Sequence, residues 1–318
     1  MKIPRALICG VSGQDGAYLS KFLLGKGYEV YGTSRDALGS NFQNLKKLGV
    51  FDRVTILSMS SEDFRSVFSI LNKVVPDEVY FLSGQSSVGL SFELPVETMQ
   101  STAFGALTML EACRIVSFKP RLYFAGSSEI FGDTPDTGAN EAMSLKPRSP
   151  YAVAKASAYW LVDNYREAYG LFAATGILFN HESNFRPDRF VTQKIIKAVK
   201  NIANGSQEKL RLGGLDISRD WGWAPEYVEA MWLMLQQDIA QDFVIATGQK
   251  NSIQDFVELA FSYLNLDWRE YVISDDEFTR PTDINVSVGN PLKAKNLLGW
   301  EAKSKMSDVV KMMLNDRF

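Results

Sequence analysis

Histidine is almost missing from this chain: its 318 residues contain one, His181. That excludes a site built on a histidine pair or a His-rich metal cage. Cysteine is nearly as scarce. Cys9 and Cys113 lie in separate apolar stretches without a CxxC spacing, which predicts two reduced, buried thiols in a cytoplasmic protein and no metal site. Charge of one sign is missing too. With 34 Lys and Arg against 37 Asp and Glu, the net charge is -3, which excludes bulk attraction to nucleic acid or an anionic membrane. No apolar run reaches bilayer-spanning length, and the start MKIPRALICGVSG turns glycine-rich too soon for a signal peptide. No repeat, low-complexity tract or Pro/Ser linker divides the chain, so a second unit would pack against the first.

What is present is an alternation. Apolar runs at Ala6–Cys9, Tyr28–Gly32, Val54–Leu57, Glu78–Leu82, Leu122–Ala125 and Ala173–Leu178 read as buried strands. Between them lie helical segments at Ala17–Gly25, Glu62–Val74, Val96–Ile115 and Tyr151–Tyr169. This βαβα rhythm predicts an α/β fold, a Rossmann-type doubly wound parallel sheet with helices on both faces. Past Leu178 the pattern loosens into helices at Thr192–Asn204 and Pro225–Gln237, a strand at Asp242–Ala246 and a mixed tail. Residues 1–178 with about 220–250 are expected to form the cofactor-binding domain. Residues 179–219 and 251–318 are expected to form a smaller, mixed α/β substrate domain.

Gly10, Gly13 and Gly16, with Gln14 and Asp15 among them, make a GxxGxxG turn between the first strand and the first helix. There the backbone can approach a pyrophosphate at a helix N-terminus, so this turn predicts dinucleotide binding. At the end of the second strand stand Ser34, Arg35 and Asp36. Ser34 and Arg35 suit the 2′-phosphate of NADP; Asp36 keeps NAD as the alternative. Tyr151 and Lys155 lie four apart on one helical face, where an ammonium is expected to lower the phenol's pKa. Such a tyrosine can take a proton from a sugar hydroxyl while a nicotinamide takes hydride.

With these stretches the chain resembles the extended short-chain dehydrogenase/reductase family, and within it the GDP-mannose 4,6-dehydratases. The similar segments run nearly end to end: GVSGQDGAYLSKFLLGKGYEV, PDEVYFLSGQSSVGLSFE, SSEIFG, KPRSPYAVAK, NYREAYG, GILFNHES, RFVTQK, RDWG, QDFVIATG and NPLKAKNLLGW. The resemblance implies a catalytic group of Ser127, Glu129, Tyr151 and Lys155. Tyr151 would take the C4 hydroxyl proton, Ser127 would hold the C4 oxygen, and Glu129 would take the C5 proton as the C6 hydroxyl leaves as water. Glu129 carries this reading, since an epimerase or a 4-keto-sugar reductase needs only the hydroxyl and the Tyr-Lys pair. Ser128 before Glu129 departs from the Asp-Glu pair of dTDP-glucose dehydratases.

The resemblance also implies a GDP-sugar substrate met by Ser86, Asn180, Glu182 and Lys194, with Arg219 and Arg280 on its diphosphate. The lone His181 reads more readily as a hydrogen-bonded structural group than as a catalyst. Departures from the family pattern fall at Asp36, at Ser58 and Met59, at Ser87, and in residues 184–189, NFRPDR in place of PRRGE. A homodimer or homotetramer is implied, through the helices at 96–115 and 151–169.

Overall fold

In a computed structural model describing residues 2–275 and 281–316, the apolar runs assemble into one seven-stranded sheet. Its strands are β1 (Arg5–Cys9), β2 (Glu29–Ser34), β3 (Val54–Ser58), β4 (Glu78–Phe81), β5 (Arg121–Ala125) and β6 (Ala173–Leu178). Four short strands follow, β7 (Asn180–Glu182), β8 (Leu210–Leu212), β9 (Ser218–Arg219) and β10 (Trp221–Trp223). Then β11 (Phe243–Ile245) returns to the sheet. The order is β11-β6-β5-β4-β1-β2-β3, and every pairing in it is parallel. The order reverses on either side of β1, which opens the crevice where such sheets hold dinucleotides.

Helices cover both faces. They are α1 (Gln14–Gly25), α2 (Gln43–Lys47), α3 (Phe64–Val74), α4 (Val88–Glu93), α5 (Pro95–Met99), α6 (Gly105–Ile115), α7 (Pro150–Tyr169), α8 (Val191–Ala203) and α9 (Ala224–Leu235). The tail adds α10 (Ile253–Tyr263), α11 (Leu292–Leu298) and α12 (Met306–Leu314). One face of the sheet packs on α1 and α9, burying Leu19, Leu23, Met231 and Met234 against Ile8, Tyr80 and Tyr123. The other packs on α3, α6 and α7, burying Val67, Leu71, Met109 and Val162 against Leu7, Phe81 and Phe124. At about 25 cal/mol per Å² of apolar surface removed from water, these two layers supply most of the drive for the sheet to form.

The expected single helix over Val96–Ile115 is instead α5 and α6 joined by a π-helical turn at Gln100–Phe104. The expected mixed tail is a second core, in which α8, α10 and α12 bury Ile195, Val199, Phe256, Phe261 and Val310 around Trp221. Arg121 Nη1 donates to the carbonyls of Leu235 and Gln237, at 2.6 and 2.8 Å, closing the C-terminus of α9 over β5. Asp220, fully buried, accepts from Thr247 N, Thr247 Oγ1, Gly248 N and Gly289 N, and so ties the β9–β10 corner to the end of β11. Among the described residues, no helix is long and apolar enough to cross a membrane.

Candidate active site

The glycine-rich turn closes β1 and opens α1. Gly10 has φ +86°, and a Cβ there would meet the Leu82 and Ser83 backbone at 3.1 Å. A Cβ on Gly16 would stand 2.4 Å from the Gly10 carbonyl oxygen. Only glycine lets loop, helix and strand come this close. α1 has Gly13 as N-cap and no side chain capping it. Its first N–H groups and the positive end of its dipole are left to an anion, so the turn fits the pyrophosphate of an NAD(P) cofactor.

Gln14 and Asp15, expected at the cofactor, turn their side chains elsewhere. Gln14 Nε2 donates to the His181 carbonyl at 3.1 Å, and Gln14 Oε1 accepts from Ser183 Oγ at 2.8 Å. Asp15 Oδ2 lies 2.9 Å from His181 Nε2. What these two residues offer a phosphate is their main-chain N–H. At the end of β2, Arg35 is exposed, and Asp36 Oδ1 accepts from the N–H groups of Leu38 (3.0 Å) and Gly39 (2.7 Å) in its own turn.

Beyond β5 the chain tightens into a single 3₁₀ turn, Ser128–Phe131, with Ser127 as its N-cap accepting from the Glu129 N–H at 3.3 Å. α7 starts opposite. Ser149 Oγ accepts from the Ala152 N–H at 3.1 Å and Pro150 fills the first turn, which sets Tyr151 and Lys155 one turn apart. Ser127, Glu129, Tyr151 and Lys155 thereby line one cleft of about 520 Å³. Three are buried and Glu129 is half-buried.

Electrostatics in this cleft differ from the sequence expectation. Lys155 does not depress the phenol. Its Nζ donates to the Ala125 carbonyl at 2.7 Å and lies 5.8 Å from the Tyr151 ring centroid. Burial pushes the Tyr151 phenol up to about 12, helped by the Glu129 carboxylate and opposed by a hydrogen bond with Ser127. Burial also pushes Lys155 down to about 8, against the pull of Asp15. Both shifts have one cause: a dry pocket favours whichever form is neutral.

The substrate-side residues Ser86, Asn180, Glu182, Lys194 and Arg219 line the same cleft. Glu182 is buried, accepts from Thr192 Oγ1 at 2.7 Å and pairs with Arg186 Nε at 3.2 Å. Lys194 Nζ donates to the Arg211 carbonyl at 2.6 Å. Arg219 Nη1 donates to the carbonyls of Ser218 and Ile284, and its Nη2 lies 3.4 Å from Asp283 Oδ1. Arg280 lies outside the described residues. Sequence reasoning missed Asp283, although it stands in the same FTRPTDIN stretch and offers the countercharge a buried guanidinium needs. It also passed over Arg186, whose guanidinium stacks 3.7 Å from the Phe190 ring centroid on the cleft wall. The divergent 184–189 loop is held by Phe185, stacked on Tyr18 of α1 at 5.0 Å.

A family model described as GDP-mannose 4,6 dehydratase matches residues 7–313. The chain is 44% identical over 321 residues to GDP-mannose 4,6 dehydratase 2 of Arabidopsis thaliana, across 98% of this chain and 86% of that protein. It is 41% identical over 337 residues to the GDP-mannose 4,6 dehydratase of Dictyostelium discoideum, across 97% and 94%. A UDP-glucose 4-epimerase of Thermus thermophilus matches with a TM-score of 0.86 over 98% of both chains at 24% identity, a likeness of fold.

Proposed function

The chain belongs to the GDP-mannose 4,6-dehydratase family, and from that premise we propose that it converts GDP-mannose to a GDP-4-keto-6-deoxy sugar by removing water across C5 and C6. One observation carries this reading: a carboxylate, Glu129, shares the cleft with Ser127, Tyr151 and Lys155. Proton removal at C5 needs such a group, whereas hydroxyl oxidation alone does not.

Each residue has a part. Ser127 hydrogen-bonds the C4 oxygen and keeps it beside Tyr151, which as the phenolate takes the hydroxyl proton as C4 is oxidised. Lys155, which donates to the Ala125 carbonyl in this structure, would hold the nicotinamide ribose. The C4 ketone acidifies C5–H; Glu129 takes that proton and delivers one to the departing C6 hydroxyl, so that water leaves with no net proton change. When bound, NADP+ would supply the acceptor for hydride from C4 and its donor to C6, and its positive charge would favour the Tyr151 phenolate. Arg219 and Lys194 meet the diphosphate and nucleotide, while Glu182 orients Arg186 on the wall.

NADP is preferred to NAD because Arg35 is exposed at the end of β2 and the Asp36 carboxylate is engaged by its own turn. A homodimer is proposed across α5 to α7, where Val96, Phe104, Val153 and Trp160 are 68, 54, 43 and 57% exposed. An apolar patch of this kind is what a helix-bundle interface covers. The two buried free thiols suit a cytoplasmic protein.

The test is incubation of the purified protein with GDP-mannose and catalytic NADP+, followed by product mass. Loss of one water without net NADPH supports the reading. Unchanged mass with altered stereochemistry refutes it in favour of an epimerase, after GDP-, CDP-, UDP- and dTDP-sugars have been screened.

A further inference from the structure

The chain's single histidine sits between the element that holds the cofactor and the strand that flanks the sugar. His181 Nδ1 lies 2.8 Å from the Phe179 carbonyl oxygen, and His181 Nε2 lies 2.9 Å from Asp15 Oδ2. Both ring nitrogens therefore face acceptors, and an imidazole bonded in this way carries a proton on each. The ring is 4.6 Å from the Tyr227 ring centroid and stacked on it, which fixes its plane. The charged and titratable groups around it are Asp15 from α1, Tyr227 from α9 and Arg186 from the following loop; β10, paired alongside, contributes none. Gln14 completes the bridge. Its Nε2 donates to Asp15 Oδ1 at 3.0 Å and to the His181 carbonyl, and its Oε1 accepts from Ser183 Oγ.

We propose that Asp15, Gln14, His181 and Ser183 form a positioning clasp that locks the start of α1 to β7, with His181 as the imidazolium at its centre. This rests on the dehydratase reading. In that reaction hydride leaves one carbon of the sugar and returns to another, so the offset between cofactor and sugar is used twice per turnover. α1 sets the cofactor end of that offset, and β7, carrying Asn180 and Glu182, sets the sugar end. Among the described residues no backbone-to-backbone hydrogen bond joins the two elements; β7 pairs with β10. The clasp supplies a direct polar link between them, beside the apolar contact of Phe185 with Tyr18.

Charge supports the geometry. Burial alone would strip the imidazolium of its proton, but the Asp15 carboxylate outweighs it and holds His181 above its ordinary 6.5. Burial pulls the other way at Asp15, but His181, together with the Gln14 hydrogen bond and the Arg186 charge, keeps that carboxyl below its ordinary 3.8. The clasp is intact between those two titrations. It opens as pH rises through the folded-state value of His181, or as pH falls through that of Asp15.

Because His181 is the chain's only histidine, its ¹⁵N imidazole resonances are unambiguous. In the protein without cofactor or sugar, both nitrogens should be protonated at neutral pH and titrate above the free-histidine value, and Asp15→Asn should lower that titration. A ring with one proton at neutral pH, or an unmoved titration in Asp15→Asn, overturns the clasp. The kinetic arm uses Asp15→Asn, which preserves shape, and His181→Gln. With GDP-mannose, kcat should fall on the order of 100-fold while KM and NADPH affinity, read by fluorescence, stay within about threefold. NADPH should also accumulate at 340 nm, as oxidised sugar escapes before hydride returns. Unchanged kcat in both folded variants, or NADPH affinity falling in step with kcat, overturns the positioning role. Should wild type leave GDP-mannose intact, the dehydratase reading fails by itself, and the imidazole titration still decides the clasp.

Discussion

Replacing Lys155 by methionine should abolish activity and make the protein more stable. Lys155 is 7% exposed, and burial lowers its pKa from the ordinary 10.5 to about 8. Holding its charge in the folded state at neutral pH therefore costs about 3 kcal/mol, at 1.36 kcal/mol per pH unit. Methionine fills similar space without that cost but leaves the Ala125 carbonyl without its donor, a loss of about 1 kcal/mol. The variant should thus gain about 2 kcal/mol at pH 7. The sign follows from proton counts. Between pH 8 and 10.5 the unfolded chain holds the lysine proton that the folded chain has released, so wild-type stability rises with pH and the variant lacks this gain. The gap should shrink by about 2 kcal/mol between pH 7 and about pH 9.5. Urea unfolding of both proteins without ligands measures it. A variant less stable than wild type at pH 7, or a gap indifferent to pH, would show that burial does not govern this lysine.

Glu129→Gln should bind NADPH normally yet lose water elimination by about 10²- to 10⁴-fold, seen by product mass; wild-type rates would refute its role as base. Arg35→Ala should raise KM for NADP+ by about tenfold or more and leave KM for NAD+ unchanged, so the ratio of the two tests the 2′-phosphate contact. The double change Phe104→Glu with Trp160→Glu should yield a folded monomer in sedimentation analysis, because charges would then stand where the apolar helix faces meet; an intact dimer would place the interface elsewhere.

The sheet was readable because strands buried on both faces must be continuously apolar, as in Ala6–Cys9 and Leu122–Ala125. Tyr151 and Lys155 were readable because a proline and a fixed spacing placed them on one turn of a helix. The π turn at Gln100–Phe104 left no mark, since one widened turn alters no apolar period that a short window can detect. Strands of two or three residues, such as β9 and β12 (Asn251–Ser252), are too short to alternate. The pKa of Tyr151 was misjudged because spacing reveals a neighbouring charge but not the water removed around it. The side chains of Gln14 and Asp15 were likewise hidden. Their motif describes backbone approach to a phosphate, while their partners, His181 and Ser183, lie far along the chain.

The return of β11 to the first sheet also sets how late in synthesis that sheet can be completed. When β6 has left the ribosome its outer edge has no partner, and the sheet face over Tyr80 and Tyr123 lacks α9. Both wait until residues 224–245 emerge. The nascent chain therefore passes through an interval with an open apolar edge, the state most prone to pair with another copy. A fragment ending at residue 178 would be arrested in that interval, so residues 1–178 are not a unit that can be cut free.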